Sequence, residues 1–196
     1  MAEAVTSHDI YFHIRVLIGL VVGLGLTRIL SGVARLVQHP GHKRLYAPHL
    51  VWVPVILTST VHFWWWEFDL IRVDPLRFQY FAFVLFYAFL FYLLASLLFP
   101  EEMDEYDDYE AYFLSRRRWF FGLLAATFAV DFADTLLKGR ARLAELGLEY
   151  DTRLALCIGL CLVAALTANR RFHLLFPAIY LVYYASWILR FYDILG

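Results

Sequence analysis

The sequence predicts an all-α fold, a polytopic transmembrane bundle of about six helices with short loops. Hydrophobic residues make up 62% of the 196 residues, above the roughly 45–50% of soluble proteins, and the mean hydropathy is +0.61. Most of the apolar stretches reach the roughly 20 residues that a helix needs to cross a bilayer. The polar segments between them are too short for a soluble domain, so we expect a single integral membrane domain over 1–196.

The expected spans are separated by turns or charged segments. Their predicted bounds are 10–37, 48–71, 76–99, 119–137, 153–168 and 172–195. The first is longer than a bilayer requires and should tilt. The third is rich in aromatic residues but lacks the polar and apolar alternation of a barrel strand, so it is predicted to be a helix. An acidic loop over 101–110 and the following Arg116–Arg118 run should lie in water or among headgroups.

Six spans place both termini on one side of the membrane. Basic residues concentrate in cytoplasmic loops, but the two orientations tie at eight residues each. One set is Arg35, Lys43, Arg44, Arg116, Arg117, Arg118, Arg170 and Arg171. The other is Arg15, Arg72, Arg77, Lys138, Arg140, Arg142, Arg153 and Arg190. The tighter clustering of the first set favours termini outside, with dual topology as the alternative. Residues 1–9 contain no Lys or Arg, so no cleavable signal peptide is expected.

Composition excludes several classes of function. The chain has 17 Lys and Arg against 18 Asp and Glu, so it lacks the basic surplus that nucleic-acid binding needs. Its two cysteines, Cys157 and Cys161, lie one turn apart in an apolar helix and are predicted to be packing residues. No catalytic or metal-binding motif stands out, so neither a catalytic residue nor a metal site is predicted. The expected partners are the lipid bilayer and a second copy or another membrane subunit.

Small residues recur every four positions in the first span. They form a ridge that would let another helix approach closely, and they are Gly19, Gly23, Thr27 and Ser31. The partner is either a helix of the same chain or a second subunit, and the pattern leaves both open.

Charged residues within the spans are the best functional candidates, because a charge in the bilayer is costly and must face a partner. Arg28 lies near the middle of the first span, and Asp131 lies within the fourth. Asp131 is expected either to pair with Arg28 or to keep its proton, and a structural ion pair is the alternative to a functional role for Arg28. Asp134 lies four residues before Lys138, an arrangement that favours a local salt bridge near the headgroups.

The second span presents a mixed polar face. Thr58, His62, Trp66 and Asp69 follow at helical spacings, and Glu67 is adjacent. This face should look inward, although Glu67 and Asp69 also fit the membrane interface beside three tryptophans. His62 could bind a proton, a metal or a haem iron, but a single helical histidine is more often hydrogen-bonded.

Two further patterns have a weaker functional meaning. The acidic loop contains Asp104, Asp107 and Asp108, which could attract cations but lack the glycine and spacing of an EF-hand. In the sixth span Tyr180, Tyr183, Trp187 and Arg190 form a stripe that fits a pathway, a lipid-like ligand or plain packing, and Arg190 should pair with Asp193.

These features lead to a hypothesis of passage through the bundle. A proton, an ion or a small solute would pass along a polar interior containing Arg28, His62 and Asp131. The hypothesis allows the protein to act as an oligomer. The alternatives are a redox or lipid-binding protein, with non-covalent haem between histidines or a quinone on the aromatic helices, and a non-catalytic scaffold subunit. Covalent haem is excluded because the sequence has no Cys-x-x-Cys-His motif.

Overall fold

The computed structural model describes residues 7–73, 75 and 77–192, and every regular element in those ranges is helical. Six α-helices follow one another: α1 (Ser7–Gln38), α2 (Ala47–Trp66), α3 (Phe78–Leu98), α4 (Tyr109–Lys138), α5 (Arg140–Leu166) and α6 (Arg170–Tyr192). A short 3₁₀ helix, Glu67–Arg72, continues from the end of α2. The predicted all-helical bundle of about six helices is therefore confirmed.

Four of the helices are long and apolar enough to cross a membrane. They are the Ile10–Gln38 part of α1, and α3, α4 and α6. Large apolar side chains lie exposed on their outer faces, as at Leu20 and Val182, which are 61% and 72% exposed. Such a surface suits hydrocarbon rather than water, since soluble monomers rarely expose large apolar patches. Length and composition are thus those of an integral membrane protein.

Three helix boundaries differ from the predicted spans. The α-helical part of the second span ends at Trp66, where the chain tightens into the 3₁₀ helix instead of continuing to residue 71. Helix α4 begins ten residues before the predicted start at 119, because Asp108 caps it by accepting a hydrogen bond from the Ala111 N–H at 2.9 Å. Helix α5 begins at Arg140 and bends at Gly147. The φ of Gly147 is +68°, a conformation that glycine adopts readily and other residues rarely do.

Cross-helix contacts define the two ends of the bundle. The Glu67 end contains the beginnings of α1 and α5 and the last turns of α2, α4 and α6. Cross-helix contacts place them there: Lys138 with Glu67, Tyr11 with Phe68, Arg142 with Asp69 and Tyr192 with His62. The Glu101 end contains the end of α1 and the loops before α2 and α4, where Arg28 contacts Glu101 and Arg44 contacts Asp108. Helix α2 contacts α1, α3, α4 and α6, and its buried Trp52 lies in the core.

Candidate functional site

A buried triad of charged side chains lies at the Glu67 end. The Lys138 Nζ is 2.6 Å from an Asp134 carboxylate oxygen and 3.1 Å from Glu67 Oε1. All three side chains are almost completely buried, with exposed fractions of 1–3%. Asp134 and Lys138 meet because they are one turn apart on α4, whereas Glu67 arrives from the junction between α2 and the 3₁₀ helix. The predicted pair of Asp134 with Lys138 is present, and both side chains are buried inside the protein.

The triad contains one more acid than base. If all three groups are ionised, the two carboxylates and one ammonium leave a net charge of −1. Within the described chain, Glu67 Oε2 is buried and has no hydrogen-bond partner. An uncompensated charge in a low-dielectric interior is costly. Protonation of either carboxyl group would make the triad neutral and remove that cost.

A second charged pair lies one turn further into the bundle. Asp131 precedes Asp134 by three residues on α4, and its Oδ2 is 3.7 Å from the Arg153 Nη2. The guanidinium also lies over the Trp187 and Tyr150 rings, 4.5 and 5.2 Å from their centroids. Such cation–π contacts stabilise a cation that is removed from water. Asp131 is therefore paired with a residue of α5 and not with Arg28.

His62 joins α2 to α6 through both of its ring nitrogens. The Nδ1 is 2.6 Å from the Tyr184 hydroxyl and the Nε2 is 3.1 Å from the Tyr192 hydroxyl. A haem ligand needs a free ring nitrogen, and both of these are engaged. Among the residues that the structure describes, no group of three His, Cys, Asp or Glu side chains could hold a metal ion. His62 is thus a hydrogen-bonded histidine, the more common of the two roles considered.

A small cavity separates His62 from the charged pair. Its volume is about 40 Å³, and Ser59, Asp131, Arg153 and Tyr184 supply polar atoms or charges to its walls. A water molecule needs about 10–15 Å³ of cavity volume, so about three waters fit. The cavity is too small for a hydrated ion or an organic solute.

Towards the Glu101 end the polar interior gives way to aromatic side chains. The Trp52 ring contacts the rings of Phe120, Phe121 and Phe176 at centroid distances of 5.3–5.4 Å. Trp52 lies ten residues from His62 along α2, a rise of about 15 Å. These four residues, here called the aromatic layer, pack together between the cavity and the Glu101 end.

The structure separates Arg28 from the other predicted pathway residues. Its guanidinium is 2.9 Å from Glu101 Oε1, and the two side chains are 38% and 78% exposed. The predicted contact with Asp131 is wrong, because Arg28 reaches the loop after α3 while Asp131 faces α5. Asp69 lies at the edge of the buried cluster, 2.5 Å from Arg142 and 3.3 Å from Arg72.

The predicted small-residue ridge lies largely on an open face of α1. Thr27 and Ser31 are exposed, and a Cβ at Gly23 would meet no atom within 4 Å. A Cβ at Gly19 would approach only Trp64, at 3.5 Å. The close contacts instead occur at Gly25, against Tyr92 and Ala95 of α3, and at Gly32, where a Cβ would overlap the Phe99 ring. The spacing of seven between Gly25 and Gly32 is the signal that a search for steps of four misses.

The acidic loop is tied to basic residues at the Glu101 end. Asp104 and Asp107 are exposed, while Asp108 pairs with Arg44 at 2.9 Å. The hydrogen bond from the Ala111 N–H, together with the Arg44 charge, lowers the pKa of Asp108 from its ordinary value of 3.8. A carboxylate committed to a helix cap and an arginine has little capacity left for a metal ion.

Sequence reasoning missed the roles of several residues. Arg153 was counted only as a loop charge, yet it is the partner of Asp131. Tyr150 was not considered, although its hydroxyl bonds the Asp131 carbonyl and lies 2.7 Å from the Thr135 hydroxyl. Arg190 bonds Glu149 at 2.6 Å, and its predicted partner Asp193 lies outside the described residues. An unpaired acid in α4 was the available signal that a basic residue should be sought on a neighbouring helix.

The two cysteines of α5 are buried, which fits their predicted role as packing residues. Cys157 and Cys161 are both free and buried.

No protein-family model matches the sequence, and comparisons with curated proteins and with solved structures found no significant similarity. Any function must therefore be inferred from the residues and geometry of the chain itself.

Proposed function

We propose that this protein is an integral membrane protein that passes protons through its polar interior. The observation that carries the proposal is the buried triad of Glu67, Asp134 and Lys138, in which two carboxylates share one ammonium. Such a site favours binding of one proton and can release it again when the surroundings change.

The remaining polar groups support a route inward from the Glu67 end. Asp131 lies one helical turn from Asp134, further into the bundle, and it borders the cavity that has room for about three waters. His62 and its hydrogen-bond partner Tyr184 also line that cavity. Water and hydroxyl groups in this arrangement can hand a proton from one carboxyl group to the next.

The cavity volume favours a proton over the other candidates. An ion would have to lose its hydration shell to enter about 40 Å³, and a small solute would not fit. The aromatic layer closes the route in this conformation, so passage to the Glu101 end requires the Trp52 and Phe121 rings to separate.

The proposal is tested by proton flux into liposomes that contain the purified protein and a pH-sensitive dye. Under an imposed membrane potential, wild-type vesicles should acidify faster than protein-free vesicles. Asp131→Asn should abolish the difference, because an amide cannot bind and release the proton. Trp52→Ala should raise the flux, because it removes the central ring of the aromatic layer.

Glu101→Gln is the matched control, since Glu101 is an exposed acid at the opposite end. It should leave the flux unchanged. A wild-type flux no greater than that of protein-free vesicles, together with no increase in Trp52→Ala, would overturn the proposal. So would equal flux in wild type and Asp131→Asn.

A further inference from the structure

Four arginines at the Glu101 end of the bundle directly precede two membrane-crossing stretches. Arg117 and Arg118 come immediately before the apolar run of α4 that begins at Trp119, and Arg170 and Arg171 are the first two residues of α6. Both helices are long and apolar enough to cross a membrane. Basic residues in such positions lie at the level of the lipid headgroups. The four residues are here called the arginine cluster.

Ring contacts between α4 and α6 bring the two halves of the arginine cluster to the same depth. The His173 ring lies 5.2 and 5.4 Å from the rings of Phe113 and Phe121, measured between centroids. Arg117 lies midway between these two phenylalanines on α4, so it shares their face and the depth of His173. Arg170 precedes His173 by three residues on α6. The two arginine pairs therefore lie within about one helical turn, roughly 5 Å, of each other in depth.

The arginine cluster has no acidic partner within the described ranges of the chain. None of its four guanidinium groups forms a salt bridge there. Arg117 donates to the Leu114 carbonyl, but its Nε is buried without a hydrogen-bond partner. The Arg170 guanidinium lies over the Tyr46 ring, 5.8 Å from its centroid. A buried donor without an acceptor is costly, so these side chains lack oxygen acceptors as well as negative charge.

The acidic loop at the same end is held by other basic residues. Glu101 pairs with Arg28 of α1, and Asp108 and Glu110 both pair with Arg44 of the loop before α2. These contacts hold the acidic loop against α1 and the loop before α2, whereas the arginine cluster belongs to α4 and α6. Four like charges at one depth repel one another and attract an anion from outside the protein.

The surface next to the arginine cluster indicates where that anion comes from. Trp119 follows Arg118 and is 69% exposed, and tryptophan concentrates at the boundary between headgroups and hydrocarbon. Leu175 lies one turn beyond Arg171 and is 56% exposed. Positive charge at one level and open apolar surface at the next match a molecule with an anionic head and hydrocarbon chains.

We propose that the arginine cluster binds the headgroup of an anionic phospholipid. The phosphate oxygens accept hydrogen bonds from the guanidinium groups, and the acyl chains lie along the exposed apolar surfaces of α4 and α6. A zwitterionic phospholipid also has a phosphate, but its ammonium group would add a positive charge beside the arginines. The site should therefore prefer a headgroup with a net negative charge. This proposal concerns binding only and is independent of proton passage.

Native mass spectrometry of the full-length protein in detergent tests the preference. The probes are phosphatidylglycerol and phosphatidylcholine with identical acyl chains, and the wild type should bind phosphatidylglycerol about tenfold or more tightly. Arg170→Gln combined with Arg171→Gln should weaken phosphatidylglycerol binding by about tenfold or more, because each arginine near an anionic lipid contributes about fivefold. Binding of phosphatidylcholine should change little. Both arginines are exposed, so the substitutions spare the core.

Arg28→Gln combined with Arg44→Gln is the matched control. It removes two positive charges from the same end of the bundle, but these arginines already have acidic partners. This double variant should keep most of the preference for phosphatidylglycerol. Inorganic phosphate in excess should fail to displace the lipid, because phosphate has no acyl chains to bind the apolar surface.

Three results would each overturn the assignment. The first is equal affinity of the wild type for phosphatidylglycerol and phosphatidylcholine, and the second is an equal loss of preference in the two double variants. The third is displacement of phosphatidylglycerol by inorganic phosphate, which would show an anion site without a role for the lipid chains. A preference that is lost only in the variant of Arg170 and Arg171 supports the proposal.

Discussion

The buried triad at the Glu67 end and the ion pairs of Arg44 at the Glu101 end hold their charges in opposite ways. At the Glu67 end, the Lys138 ammonium and its two acidic partners are 1–3% exposed. At the Glu101 end, Arg44 is 74% exposed while it pairs with Asp108 and Glu110. Exposed ion pairs are screened by water and contribute little to stability, whereas a buried charge without its partner is strongly destabilising. The comparison therefore predicts a much larger loss of stability from removing a charge in the buried triad than from removing one at the Glu101 end.

The largest expected effect is the loss of the buried ammonium. Lys138→Met leaves Glu67 and Asp134 facing each other without a cation, which should lower the free energy of unfolding by about 3–5 kcal/mol. Arg44→Met at the other end should lower it by about 1 kcal/mol or less. Denaturant titration in detergent micelles, followed by circular dichroism, measures both values.

A compensating variant sharpens this test. Glu67→Gln, Asp134→Asn and Lys138→Met together remove every charge of the triad, and most of the stability lost in Lys138→Met should return. This triple variant should also lack the proton flux of the wild type. Equal losses in Lys138→Met and Arg44→Met would contradict the contrast between the two ends.

A smaller effect is expected from packing at the Glu101 end. Gly32→Ala forces the new methyl group into the Phe99 ring, which is buried and lies 5.3 Å from the His49 ring. We expect a loss of about 1–3 kcal/mol in the free energy of unfolding. Gly23→Ala has open space around the added group and should cost nothing. Similar thermal stability of the two alanine variants would show that α1 does not pack through Gly32.

The smallest effect is a pH dependence at the start of α4. The folded pKa of Asp108 lies below its ordinary value of 3.8, so its contribution to stability is complete above that pH and is lost as the pH falls through the folded pKa. Asp108→Asn keeps a side-chain oxygen to cap the helix but loses the charge. Its stability should therefore decline less on acidification than that of the wild type.

Asp107→Asn is the control for this titration, because Asp107 is the exposed neighbour of Asp108. Its acid profile should match that of the wild type. Both profiles are obtained from thermal unfolding at a series of pH values below 5.

Local sequence patterns predicted the elements better than their ends. Helices α1 and α3 begin and end within three residues of the expected spans, because long apolar stretches flanked by turns define them. The start of α4 was missed because charged residues were assigned to a loop, although a capped helix tolerates Arg116–Arg118 in its early turns. The continuous second span was wrong beyond Trp66, where the chain changes to a 3₁₀ helix.

Within the candidate site, the sequence predicts a contact inside one helix but not the contacts between helices. The contact of Asp134 with Lys138 depends on a spacing of four within one helix, so the sequence alone predicts it. The contacts of Glu67 with Lys138 and of Arg153 with Asp131 join residues from different helices. Their formation depends on how the helices rotate and pack, which no single-helix pattern contains.

The amino-acid sequence by itself determined that this chain is apolar, helical and suited to a bilayer, because hydrophobicity and helix length are properties of local segments. Only the tertiary structure decided which charges meet. It turned Asp131 towards Arg153 and left Arg28 to Glu101, since side chains pair across helices according to rotation and depth, and those follow from packing of the whole bundle.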